Sequence, residues 1–200
     1  ETLTKPIDDE IALCKRNHKR RWTPEKHVTL GNHEVRADRA ANNSPKLIGT
    51  IGTADCTFSD WQVHPFLKRV FIDDICYSHY FQNTHSSFPI GGGVENRLAR
   101  IGCSFVAGHE QGRREGSKIM ASGRTIYGLV AGSCYLHEEQ YRGAQGQRHW
   151  RGIVFLNEVE AGEYDIMPVS LRYLCRHYEN MPLDRYMRLK YPNGFWDHLA

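Results

Sequence analysis

Short apolar runs that end in a glycine or a polar turn alternate with stretches of helical period along this chain, and the two patterns predict its elements. In residues 7–21, Ile7, Ile11 and Cys14 share one stripe, which predicts a helix with Asp8 as its cap. The basic run Lys15-Arg16-Asn17-His18-Lys19-Arg20-Arg21 falls at its C-terminal end, where cations suit the helix dipole. Thr23-Pro24 breaks that helix. Residues 28–30 then read as the end of a buried strand running into Gly31-Asn32-His33-Glu34, and residues 35–41 as a short helix closed by Asn42-Asn43-Ser44-Pro45. Residues 61–66 suit a strand.

Residues 69–72 and 75–80 are β-rich runs separated by Asp73-Asp74, which predicts a hairpin with His79 near the end of its second strand. Pro89-Ile90-Gly91-Gly92-Gly93-Val94 precedes a helix over residues 95–101. It matches neither a Walker pattern nor a dinucleotide fingerprint, so a flexible loop or hinge is the default reading over a phosphate cradle. Residues 104–107 form a short buried strand running into Gly108-His109-Glu110-Gln111-Gly112. Residues 118–121 and 124–131 predict a second hairpin about Ser122-Gly123, followed by a polar loop over residues 133–146 that carries His137. Residues 152–159 and 164–170 pair about Ala161-Gly162, and residues 171–179 and 183–189 are helical. The mixture predicts an α/β fold and a single domain over residues 1–200, with residues 1–25 as a helical, basic lead-in and residues 172–200 as a helical tail.

Composition narrows the function classes. The 200 residues are 40% hydrophobic and 24% charged, which is ordinary for a globular domain. No stretch approaches the roughly 18 uninterrupted apolar residues of a spanning helix, and no signal peptide opens the chain, so the expectation is a cytoplasmic protein without a membrane partner. Cys14, Cys56, Cys76, Cys103, Cys134 and Cys175 contain no Cys-x-x-Cys pair, which argues against a thiolate zinc site and a disulfide framework. A net charge of +3 with 11 histidines suits a phosphate-bearing substrate and is too weak to imply nucleic acid by itself. The chain starts at Glu1 and not at Met, which suggests a processed product or a piece of something longer.

Three histidines arrive at strand ends: His33, His79 and His109. In an open α/β sheet the carboxyl edge of the strands is where ligands bind. An Asn oxygen can ligate a cation without adding charge, and the adjacent His can donate a proton to a departing oxygen. Gly31-Asn32-His33-Glu34 therefore suits half of a metal-assisted hydrolytic site. It equally suits a turn whose Asn tolerates an unusual backbone and whose His is solvated.

The ordered set Gly31-Asn32-His33-Glu34, Tyr77-Ser78-His79 and Gly108-His109-Glu110-Gln111 resembles the later motifs of the calcineurin-like metallophosphoesterases. The nearest flavour is that of the members encoded by tailed bacteriophages, which Ala131-Gly132-Ser133-Cys134-Tyr135 and His149-Trp150-Arg151-Gly152 also resemble. The resemblance covers residues 26–171 and implies a four-layer α/β/β/α sandwich with two divalent cations, of manganese, iron, zinc or nickel, at the strand ends. By position it makes Asn32, His79 and His109 ligands of one metal and His33 the group that contacts phosphate and assists the leaving oxygen. Gln111 takes the place of a second-metal histidine, as a poorer neutral ligand. His149 and Arg151 would line the substrate side. The family's opening Asp-x-His and Gly-Asp motifs do not appear before His27, so the fold is expected to be N-terminally incomplete and the site to lack its bridging carboxylate.

Two functions follow as expectations. The first is a metal-dependent phosphoesterase that splits phosphomonoesters or phosphodiesters with a metal-activated water, of which this chain is a C-terminal portion. The second is a degenerate member that keeps the fold for binding, with nucleic acid as a partner through residues 15–21. An unrelated β-rich binding domain is the third, more distant reading. Substrate, metal and oligomeric state lie beyond the sequence, because access loops set substrate choice.

Overall fold

Parity along the central strands sorts the core, since alternate residues of a strand face opposite ways. The computed structural model describes residues 5–20, 23–56, 58–139, 143–194, 196 and 199. Its elements are α1 (Lys5–Arg16), β1 (His27–Thr29), α2 (Val35–Asn43), β2 (Gln62–His64), β3 (Val70–Ile72), β4 (Ile75–Ser78), α3 (Val94–Ile101), β5 (Phe105–Ala107), β6 (Arg114–Ile119), β7 (Thr125–Val130), α4 (Ala144–Gln147), β8 (Gly152–Glu160), β9 (Glu163–Ser170), α5 (Leu171–Glu179) and α6 (Leu183–Lys190). A five-stranded sheet runs β3-β4-β5-β7-β6, beside a parallel β1-β2 pair and an antiparallel β8-β9 pair. Within the larger sheet β4, β5 and β7 are parallel, and β3 and β6 are antiparallel edges. The fold is mixed α/β.

Cys76, Phe105 and Gly128 are in register and face α3, where Val94 and Leu98, one turn apart, complete a core with Ala107 and Ile126. Gly128 is required by close approach: a Cβ there would sit 2.5 Å from Val94 Cγ1 and 2.7 Å from Phe105 Cε1. Any side chain would lift α3 off the sheet. The opposite parity, Tyr77, Val106 and Leu129, looks the other way. Tyr77 and Val106 share a cleft of about 400 Å³ with Thr29 and His64, so the β1-β2 pair stands over that second face. A separate core of Cys175, Leu183, Met187 and Leu199 joins α5 to α6.

Turn chemistry explains several boundaries. Asp73 and Asp74 both adopt left-handed backbone (φ 50° and 62°), the geometry a two-residue hairpin turn demands. Ser170 caps α5, its Oγ accepting from the Tyr173 N–H at 3.1 Å. The first helix ends earlier than its basic run suggests: Lys19 N donates to Cys14 O and His18 N to Lys15 O, with His18 left-handed. That pairing is a Schellman closure, so Lys19 and Arg20 lie beyond the helix, and Asp8 sits inside its first turn instead of capping it. Arg21 and Trp22 lie outside the described residues. The second hairpin also begins earlier than residue 118, because Arg114 and Glu115 extend β6 as a charged edge strand along β7. All six cysteines are free. Among the described residues no helix is long and apolar enough to cross a membrane.

Candidate functional site

β1, β4 and β5 each run into a short polar turn, and the three turns meet. His79 directly follows β4, and its Nε2 lies 2.8 Å from Asn32 Oδ1, beyond β1, and 3.1 Å from His109 Nδ1, beyond β5. Three side chains separated by 47 and 30 residues thus bring ligand-type atoms to one point. Phe66 and Tyr80 wall it, with ring centroids 5.8 Å from His79 and 5.0 Å from His109 respectively.

The local sequence explains each placement. Gly31 does not adopt positive φ; it is needed because a Cβ would sit 2.8 Å from His79 Cε1 and 2.9 Å from Glu34 Oε2. Glu34 Oε2 accepts from the Gly31 N–H at 2.6 Å and so closes the turn that presents Asn32. His109 has φ 65°, an uncommon conformation for a non-glycine residue and one that clusters at functional sites. The following residue anchors it: Glu110 pairs with the buried Arg97 of α3 at 2.5 Å and with Arg114 of β6 at 3.4 Å. Asn96 Nδ2 and Arg97 Nε donate to the carbonyls of Gly91 and Gly92 at 3.0 and 3.1 Å, so the glycine loop is tied to the first turn of α3 by that helix's own side chains.

Burial first, then the neighbouring His109 and His33, hold His79 at a pKa of about 4, against the opposing pull of Glu34. Below the ordinary 6.5, the folded state refuses a proton that the unfolded chain accepts, so this group removes stability as pH falls from about 6.5 to about 4 and adds nothing above. With a chelator present, the urea midpoint should drop between pH 7 and pH 5 more steeply in the wild type than in His79→Gln. Parallel slopes would show that His79 is not held neutral.

A cleft of about 850 Å³ opens over the cluster, lined by Asn32, His33, His79, His109, Gln111 and Tyr135 among others. His33 is exposed at its edge, with Nε2 3.2 Å from Arg36 Nη2. Gln111 also lines the cleft and donates to Glu139 Oε1 at 3.5 Å. His149 and Arg151 do not line this cleft. They border a neighbouring one with Trp150 and Ser170, and Gly152 N, next along the strand, donates to Ser133 O at 3.0 Å. There both pack on Tyr135, with the Arg151 guanidinium and the His149 ring each 5.8 Å from its ring.

An Asn oxygen and two imidazole nitrogens, with His79 Nε2 at 2.8 and 3.1 Å from the other two donor atoms, form a donor set that fits a borderline divalent cation. Among the described residues no group of three His, Cys, Asp or Glu side chains has the arrangement of a metal site, and this trio contains only two residues of those types. Phe66, Tyr80 and the Arg97–Glu110 anchor are site residues that the sequence patterns left out, and those patterns place Glu34 at the strand edge without the turn-closing role it has here. The one signal for Tyr80 and Glu110 was adjacency, since each directly follows a singled-out histidine; Phe66 and Arg97 had none. Compared with known proteins, the chain matches no family model, no curated protein and no solved structure.

Proposed function

We propose that this chain carries a cation site and the acid–base histidine of a metal-dependent phosphoesterase of the calcineurin-like type. The observation that supports the reading is the convergence of Asn32, His79 and His109, from three strand ends, at the base of one cleft. A four-layer sandwich is part of the proposal; α3 on one face of the five-stranded sheet and the β1-β2 pair on the other are consistent with its α/β/β layers. A divalent cation held by the trio would offset phosphate charge and lower the pKa of a bound water. His33, outside the ligand set and solvent-facing, donates a proton to the leaving oxygen, while Arg36 beside it offers a guanidinium to a phosphate oxygen. A second reading, a phosphoesterase-like fold that binds without catalysis, is favoured by one observation: Gln111, a poorer neutral ligand, stands where the resemblance calls for a second-metal histidine, and its amide donates to Glu139 Oε1.

The test uses cobalt(II) and manganese(II). Cobalt should give visible absorption bands that His79→Ala and His109→Ala each abolish, and manganese should support hydrolysis of bis(p-nitrophenyl) phosphate or p-nitrophenyl phosphate. Metal binding without turnover of either ester selects the non-catalytic reading. Cobalt bands indifferent to both substitutions would end the metal assignment.

A further inference from the structure

In the same cleft as the His79 cluster lies a second convergence, of which the metal motifs use only Gln111. Glu139 Oε1 stands 3.4 Å from His137 Nε2 and 3.5 Å from the Gln111 side-chain amide, and all three residues line the same cleft. The amide's oxygen and nitrogen exchange places by a half-turn of its last torsion, so Gln111 can present either atom at that point. Glu139 is held by its backbone: the buried Gln147 donates to Glu139 O at 2.5 Å and accepts from Glu139 N at 3.1 Å. Tyr135 stacks on His137, ring centroids 4.4 Å apart at 23°, which limits the swing of the imidazole. A carboxylate on an anchored backbone, a steered imidazole and an amide oxygen make a set that takes manganese or zinc.

We propose that Glu139, His137 and Gln111 form a second divalent-cation site, sharing one cleft with the Asn32–His79–His109 site, with Glu139 as its anionic ligand. The proposal rests on the metal reading of that cleft and extends it in one respect. It supplies from the loop after β7 a negative ligand that neither Asn32 nor the two histidines can provide. Gln111, two residues beyond His109, joins the two sites through one turn, so that ordering of the first favours the second.

Equilibrium dialysis of the full chain against manganese chloride alone, followed by elemental analysis, decides the matter. The wild type should hold about two manganese ions. Glu139→Gln, nearly isosteric and verified as folded by circular dichroism, and His137→Ala should each hold about one, as should His79→Ala. The double variant His79→Ala, Glu139→Gln should hold none. A wild type with a single ion, lost in His79→Ala and kept in Glu139→Gln, overturns the second site and leaves the first standing. A single ion lost in Glu139→Gln and kept in His79→Ala upholds the second site and removes the first. No bound manganese in the wild type overturns both.

Discussion

His33→Ala should lower turnover of an aryl phosphoester by about 10²- to 10⁴-fold while the amount of bound metal stays unchanged. The magnitude is that of a lost general acid, and the split between turnover and metal follows from geometry. His33 is exposed at the cleft edge and touches Arg36, whereas its neighbour Asn32 faces His79. The effect should appear in kcat and kcat/KM together, because a proton given to the leaving oxygen matters only as that bond breaks. Steady-state kinetics with manganese, paired with metal analysis of the same preparation, reads both quantities. Equal loss of metal and activity would make His33 a ligand.

Phe105→Ala should destabilise the fold by about 3–5 kcal/mol, the range for emptying a fully buried aromatic site. Phe105 is 0% exposed at the centre of the sheet, its ring 5.3 Å from Phe81 in an edge-to-face contact and packed in the cluster with Val94 and Leu98. The void cannot be filled by a shift of α3 alone, since the helix already rests against Gly128. For a domain of this length the melting temperature should fall by roughly 10 °C, read by circular dichroism. A change under about 1 kcal/mol would mean that α3 does not dock where these contacts put it.

Much of the fold was legible because periodicity reports on burial, and burial made these elements. Both central hairpins, the strand before His109 and helices α3, α5 and α6 stand within a few residues of their patterns. The misplaced boundaries share a cause. His18 closes α1 in a left-handed conformation normally given to glycine, and Arg114 and Glu115 pair as strand although their charges read as loop; in both, backbone hydrogen bonding overrode side-chain character. In the site, the trio was legible as three polar groups after three strands. What was not legible was why Gly31 is glycine: its φ does not require one, and a Cβ is excluded by His79, 48 positions away, together with the Glu34 carboxylate. Nor does any local pattern say that His149 and Arg151 pack on Tyr135 and border a different cleft.

The meeting of Asn32 with His79 and His109 ties together parts of the chain that the sheets themselves leave apart. Among the described residues β1 bonds to β2 and to no strand of the larger sheet, so the sheet ladders themselves do not hold that pair in place. A cation seated on the trio would act as a removable cross-link between the small pair and the large sheet, with a strength set by mass action and not by packing. At a hundredfold excess of metal over its dissociation constant the native state gains about 2.7 kcal/mol, and a chelator takes it back. Residues 27–64 then become the part of the molecule that opens first, at a free energy governed by the concentration of metal around it.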